Sequence, residues 1–131
     1  MLIAVYGSLR KDLTNYNAYL RDSKYVGTYD TKPIYTLKSL GYFPGLLKNG
    51  TTSIVMEVFR VDDETMSSID RLEGYQLNGG SNHYEKETIK TPFGDAFIYF
   101  YAKPDNIKEA PTVLSGDWKE YLKNKKMYHN A

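Results

Sequence analysis

The sequence predicts an α+β domain, in which a small mixed, barrel-like β-sheet has short helices packed around it. About six segments have strand character and about three have helix character, without the regular alternation of parallel βαβ proteins. Two of the strand segments are apolar on both faces, as strands in the middle of a covered sheet are. The chain has 131 residues, of which 41% are hydrophobic. We therefore expect residues 1–131 to form a single domain with its own core.

The first strand is the apolar run Leu2-Ile3-Ala4-Val5-Tyr6, which Gly7 and Ser8 follow directly. Glycine permits a tight turn or a close approach to a ligand, and successive N–H groups in such a turn can bind an anion. An ordinary connection between a strand and a helix would have the same pattern. The loop therefore becomes a candidate binding site only if a second chemical group points to the same place.

The other strand candidates alternate apolar and polar side chains or are continuously apolar. They are residues 25–29, 33–40, 53–61, 83–91 and 95–102. In the third of these, one face carries Ile54, Met56 and Val58. Asn49-Gly50, which precedes it, is a typical hairpin turn and predicts one there.

Three segments are predicted to be helical. The first covers residues 13–20, with Asp12 or Thr14 as its N-cap and Asn15 facing water. The second begins at Asp62 and Asp63, continues to about residue 72, and has a C-terminal glycine at position 74. The third covers residues 117–127.

Glu73 is placed unusually on the second helix. At about 100° per residue, it falls roughly 20° from Met66 and roughly 40° from Ile69, in the middle of the apolar face. A carboxylate buried there without a partner has a raised pKa and could act as a general base. Alternatively, the helix ends before Glu73, or Arg71 or a backbone donor satisfies the carboxylate.

Two other carboxylates, Asp70 and Glu57, lie near the same segments and are alternatives to Glu73. Asp70 lies at the border of the apolar face and could orient the site or cap a turn. Glu57 lies in the middle of a strand, where we expect it to face the outer side of the sheet.

The composition argues against several classes of function. The net charge of +1 does not suggest binding to nucleic acid or to a membrane surface. The absence of cysteine and the presence of only two histidines argue against a metal site. No apolar run reaches membrane length and no signal peptide is evident, so we expect a cytoplasmic protein.

Several short motifs, in order, resemble those of the gamma-glutamylcyclotransferase-like family, which includes gamma-glutamylamine cyclotransferases. The match spans the whole chain, with Met56 where the family usually has Gly and Lys86 where it has Arg. The motifs are Tyr6-Gly7-Ser8-Leu9, Phe43-Pro44-Gly45-Leu46, Glu57-Val58-Phe59, Asp70-Arg71-Leu72-Glu73-Gly74, Tyr84 with Lys86, and Ser115-Gly116-Asp117-Trp118.

The resemblance implies a small mixed barrel with helices around it, and an enzyme of the acyltransferase or lyase type. Such an enzyme converts a gamma-glutamyl amine or amide into 5-oxoproline and a free amine, without a metal or other cofactor. It implies that Glu73 is the general acid/base and that Tyr6, Gly7, Ser8 and Leu9 bind the carboxylate of this small-molecule substrate. Tyr101 resembles a pocket tyrosine of the family, although a packing role fits it equally well.

An alternative function is a non-catalytic module that binds a small ligand on the same fold. The glutamate at position 73 argues against this alternative, whereas the departures at Met56 and Lys86 keep it open. The leaving amine and the oligomeric state are not determined by the sequence.

Overall fold

The computed structural model describes residues 1–75 and 82–130, with side chains described as far as residue 125. These residues form seven strands, three α-helices and one short 3₁₀ helix at Pro104–Ile107. In chain order the elements are β1 (Leu2–Val5), α1 (Tyr16–Tyr19), β2 (Lys24–Asp30), β3 (Tyr35–Ser39), β4 (Pro44–Thr52), β5 (Val55–Arg60), α2 (Asp63–Leu72), β6 (Tyr84–Thr91), β7 (Gly94–Tyr101) and α3 (Trp118–Asn130).

Five of the strands form one mixed sheet in the order β2-β5-β1-β7-β6. Strands β1 and β7 are parallel, and the other neighbours in this sheet are antiparallel. Strands β3 and β4 form a separate antiparallel pair. The predicted α+β class with a mixed sheet is confirmed. The sheet is barrel-like only in a loose sense, because it ends in the edge strands β2 and β6.

Strand β1 is buried on both faces because the chain has an apolar cluster on each side of the large sheet. Ile3 and Val5 pack in one cluster, which includes Ile69 of α2. Ala4 packs in the other, which includes Leu46 of β4 and residues from three further strands. This two-sided burial explains why the first strand is continuously apolar.

Helix α2 begins and ends where the sequence predicts. The Asp62 carboxylate accepts a hydrogen bond from the Thr65 N–H at 2.7 Å, which satisfies one of the free N–H groups of the first turn. Met66 and Ile69 are buried. Gly74 has a φ of +66°, the left-handed conformation that commonly ends a helix. This ending leaves Glu73 as the last residue before the chain turns away.

The hairpin predicted at Asn49-Gly50 is wrong. The turn between β3 and β4 lies earlier, where the Leu40 N–H donates to the Phe43 carbonyl at 2.9 Å. Gly50 lies instead within β4, at an irregularity in its pairing with β3. A Cβ at this position would be 2.0 Å from Thr36 Oγ1, so glycine is needed here for close packing and not for a turn.

The first predicted helix is much shorter than expected. Only Tyr16–Tyr19 is helical, because the preceding residues form a series of turns. Asp12 has a φ of 69°, which is incompatible with an N-terminal helical turn. Asn15 is the N-cap, but its side chain makes no capping bond. Among the described residues, no helix is long and apolar enough to span a membrane.

Candidate active site

A cleft of about 510 Å³ opens at the end of β1. Four parts of the chain line it: the β1 end with the following loop, the β3–β4 turn, the end of α2, and the strands β6 and β7. Gly7, Ser8, Leu9 and Glu73 are all part of this lining. The structure therefore brings the glycine loop and the unusual carboxylate to the same cleft.

The loop is held by contacts on its own backbone. The Arg10 N–H donates to the Gly7 carbonyl at 3.0 Å, and the Asn15 N–H donates to the Ser8 carbonyl at 2.9 Å. Among the described residues, no backbone acceptor is recorded for the N–H groups of Gly7, Ser8 or Leu9. These groups can therefore bind an anion in the cleft.

Asn15 is a site residue that sequence reasoning placed wrongly in water. Its side-chain amide donates to Ser8 Oγ at 2.9 Å, and it also lines the cleft. Because Ser8 Oγ accepts this bond, its own proton remains available for a second acceptor. No periodicity indicates this contact, because the two residues meet through a series of turns and not through a regular helix.

Glu73 lies at the C-cap of α2, half-buried in the wall of the cleft. Burial raises the pKa of its carboxyl group to about 7. The structure records no hydrogen bond to this carboxyl group from the described residues; the Arg71 guanidinium donates instead to Ser68 Oγ at 3.1 Å. A carboxyl group with this pKa can both accept and return a proton near neutral pH.

Tyr6, Tyr84 and Tyr99 line the cleft together with Glu73, and the hydroxyl group of each already donates a hydrogen bond within the protein. Tyr6 donates to the Tyr99 carbonyl at 2.5 Å, and Tyr84 donates to the Pro44 carbonyl at 2.8 Å. Burial is the main cause that raises the pKa of each tyrosine, and the nearby charge of Glu73 raises it further. The hydroxyl groups therefore stay protonated and serve as walls and hydrogen-bonding groups rather than as bases.

Tyr101, the tyrosine that the resemblance indicated, is not part of the described cleft lining. Its ring packs edge-to-face on Tyr84, with 5.5 Å between the ring centroids, and its Cβ lies against Gly45. These are packing contacts, and a contact of Tyr101 with substrate stays a prediction. Tyr84 and Tyr99 line the cleft instead.

Asp70 is paired away from the cleft. It accepts a hydrogen bond from the Tyr99 hydroxyl group and forms a salt bridge of 3.2 Å with Lys86. Asp70 therefore supports the cleft wall from behind through Tyr99.

The expectation that Glu57 faces outward is wrong. Only 3% of this residue is exposed, and its carboxylate contacts Arg10 Nε at 2.7 Å, Lys119 Nζ at 2.9 Å and the Lys11 N–H at 2.7 Å. Burial alone would raise the pKa of Glu57, but these donors together hold it below its usual value. A stable carboxylate with three partners is a poor general base.

The described residues contain no group of three or more side chains of His, Cys, Asp or Glu that could hold a metal ion. Within the cleft, Glu73 and His83 are the described candidates for ligands, which is fewer than a protein metal site normally needs.

Comparison with known proteins identifies the family. The model of the gamma-glutamyl cyclotransferase, AIG2-like family matches residues 3–120. The chain belongs to this family. A Vibrio cholerae protein that is provisionally named a gamma-glutamylcyclotransferase is 39% identical over 117 residues, which cover 89% of this chain and 94% of that protein. The family protein YtfP of Escherichia coli K12 is 35% identical, covering 90% and 96% of the two chains.

Solved structures agree with this family assignment. An uncharacterized protein from Pyrococcus horikoshii superposes with a TM-score of 0.76 at 29% identity, covering 98% of both chains. The solution structure of E. coli ytfP gives a TM-score of 0.70 at 34% identity, covering 90% of this chain and 96% of that one. The mixed fold is therefore shared with these solved structures.

Proposed function

We propose that the protein is a cyclotransferase that converts a gamma-glutamyl amine or amide into 5-oxoproline and a free amine. The observation that carries this proposal is the shared cleft of Glu73 and the glycine loop. The cleft combines a carboxyl group with a pKa near 7 and loop N–H groups for which the described residues provide no recorded acceptor, which suits a substrate with an ammonium group and a carboxylate.

In the proposed reaction, the Glu73 carboxylate removes a proton from the substrate α-ammonium group. The neutral α-amine then attacks the γ-carbonyl carbon, and a new C–N bond closes the five-membered ring. Glu73 returns this proton to the leaving nitrogen, and the old amide C–N bond breaks. The ring nitrogen gives up a second proton through the same carboxylate, so the amine leaves as an ammonium ion and the lactam keeps one N–H. No water is consumed and no atom is oxidised or reduced, so the proposed reaction requires neither a metal nor another cofactor.

The loop would hold the other end of the substrate. The free N–H groups of Gly7, Ser8 and Leu9 are the proposed donors to its α-carboxylate, and the Ser8 hydroxyl can add one more bond. Fixing the folded-back conformer places the α-amine next to the γ-carbonyl, and this proximity supplies much of the rate. Part of the same loop could also stabilise charge on the γ-carbonyl oxygen.

The test is to incubate the purified protein with a panel of gamma-glutamyl amides and to measure release of 5-oxoproline and free amine in equal amounts. Turnover supports the proposed enzyme. Saturable binding without turnover of any amide would contradict it, and the alternative of a non-catalytic ligand-binding module would then replace it.

A further inference from the structure

We propose that Tyr42 and Phe43 select the leaving amine, and that the substrates are gamma-glutamyl amides whose amine has an apolar, preferably aromatic, body without a positive charge. This inference rests on the proposed function, because it concerns the part of the substrate that is released.

The cleft has a buried floor and an exposed aromatic rim. Val5 and Tyr6 of the floor are nearly inaccessible to solvent, whereas Tyr42 is 93% exposed and Phe43 is 43% exposed. In the proposed function, the gamma-glutamyl part of the substrate binds at this inner end, between Glu73 and the loop of Gly7 to Leu9. A larger leaving group that extends towards the rim meets two exposed aromatic rings, which provide apolar surface that a ligand can cover.

The rim is anchored to the same loop that would hold the substrate carboxylate. The turn is closed by the Leu40–Phe43 backbone bond, and the next residue, Pro44, lies directly against Gly7. A Cβ on Gly7 would be 2.7 Å from Pro44 Cδ. The Pro44 carbonyl also accepts the Tyr84 hydroxyl. The backbone that carries the aromatic pair is therefore anchored beside the loop, which keeps both rings at the same edge of the cleft.

The charges of the cleft argue against a cationic leaving amine. Glu73 is the one acidic side chain among the described residues that line the cleft, and the proposed reaction uses it at the α-amine. Arg71, an exposed residue of the lining at the end of α2, carries a positive charge that would repel an ammonium tail. An uncharged apolar body avoids this repulsion and can stack on the aromatic rings.

The experiment compares kcat/KM for three gamma-glutamyl amides with leaving amines of similar basicity: ethyl, 2-phenylethyl and 4-aminobutyl. We expect the phenylethyl amide to be preferred over the ethyl amide by about tenfold, as one good aromatic contact provides. The aminobutyl amide should be no better than the ethyl amide. In the Tyr42→Ala/Phe43→Ala variant the phenylethyl preference should fall towards one.

The matched control is Leu114→Ala, which removes an apolar side chain that is 82% exposed and lies outside the cleft lining. It should keep the full phenylethyl preference. If the double variant does not fold, Tyr42→Ala alone is used, because its exposed ring contributes little to stability. In that variant the preference should still fall.

The outcomes separate the two proposals. Equal turnover of all three amides, or preference for the aminobutyl amide, would overturn this inference and leave the proposed function standing. A phenylethyl preference that survives the rim substitutions would also overturn it. Failure to release 5-oxoproline from any gamma-glutamyl amide would overturn the proposed function itself.

Discussion

At the scale of single residues, Glu73 is the carboxyl group among the described residues whose pKa is clearly raised. The two competing carboxylates have cationic partners: Asp70 pairs with Lys86, and Glu57 pairs with Arg10 and Lys119. Glu73 has no such partner among the described residues, and burial raises its pKa to about 7. A buried carboxyl group without a partner reduces stability when it is charged, which is a common property of functional groups.

The first prediction concerns Glu73→Gln. Glutamine keeps the size of the side chain but cannot accept the proton of the ammonium group, so kcat should fall by about 10²- to 10⁴-fold. Steady-state assays of 5-oxoproline release measure this fall, and circular dichroism checks the fold. Asp70→Asn should cost less, because Asp70 acts only through Tyr99. Near-full activity of Glu73→Gln, with loss in Asp70→Asn or Glu57→Gln, would show that the base is assigned wrongly.

The second prediction concerns pH and stability. The folded-state pKa of Glu73 is raised from 4.5 to about 7, so the folded protein retains a proton that the unfolded chain loses in this range. The stability that this proton contributes is complete below about pH 4.5, decreases as the pH rises towards 7, and is absent above it. Glutamine does not titrate, so the stability of Glu73→Gln does not decrease in this way as the pH rises. Its stability relative to the wild type should therefore rise by up to ~3 kcal/mol between pH 4.5 and 8.

Urea unfolding of both proteins across this pH range measures the difference between their free energies of unfolding. Groups that titrate in the same way in both proteins contribute equally and cancel in this difference. A difference that stays constant with pH would contradict the raised pKa.

The same pKa predicts that kcat/KM rises with pH through about 7, because only the carboxylate can act as the base.

At the scale of elements, one buried ionic network joins the glycine loop, β5 and the start of α3. Arg10 contacts Glu57 at 2.7 Å and Asp117 at 2.8 Å, although these residues are far apart in the sequence. Asp117 also accepts the N–H groups of Lys119 and Glu120 at the first turn of α3. Arg10, which directly follows the first motif, therefore joins the motifs of Glu57 and Asp117 into one structural unit.

The third prediction tests this unit with Arg10→Met, which leaves Glu57 and Asp117 with fewer partners. Breaking a buried pair typically costs about 3–5 kcal/mol, so thermal and urea unfolding should show a loss of that order. The control is Lys48→Met, which removes the exposed salt bridge between Lys48 and Glu87 and should cost less than about 1 kcal/mol. Equal losses in the two variants would contradict a structural role for the Arg10 network.

At the scale of the whole molecule, the cleft exists only because four distant parts of the chain meet at the end of β1. The proposed reaction there needs from the protein proton transfer and positioning of the substrate, and no metal ion. The fourth prediction is that turnover is unchanged after dialysis against EDTA, with a zinc hydrolase treated in parallel as the control that loses activity. Loss of turnover that a single divalent cation restores would contradict it.

The sequence by itself determined those features that depend on neighbouring residues. The apolar run of β1 indicated burial on both faces, and Asp62 and Gly74 marked the ends of α2. The position of Glu73 on the apolar face followed from helical periodicity alone. The family was also evident, because its short motifs lie in order along the chain.

Only the tertiary structure decided which distant side chains meet. Arg10 and Glu57 are separated by 47 positions, and nothing in the local pattern shows that Glu57 points at a cation rather than at solvent. Gly50 has the sequence of a turn but is needed for close packing within β4. The physical reason is that periodicity reports the face on which a residue lies, whereas its partners depend on how strands and turns pack against one another.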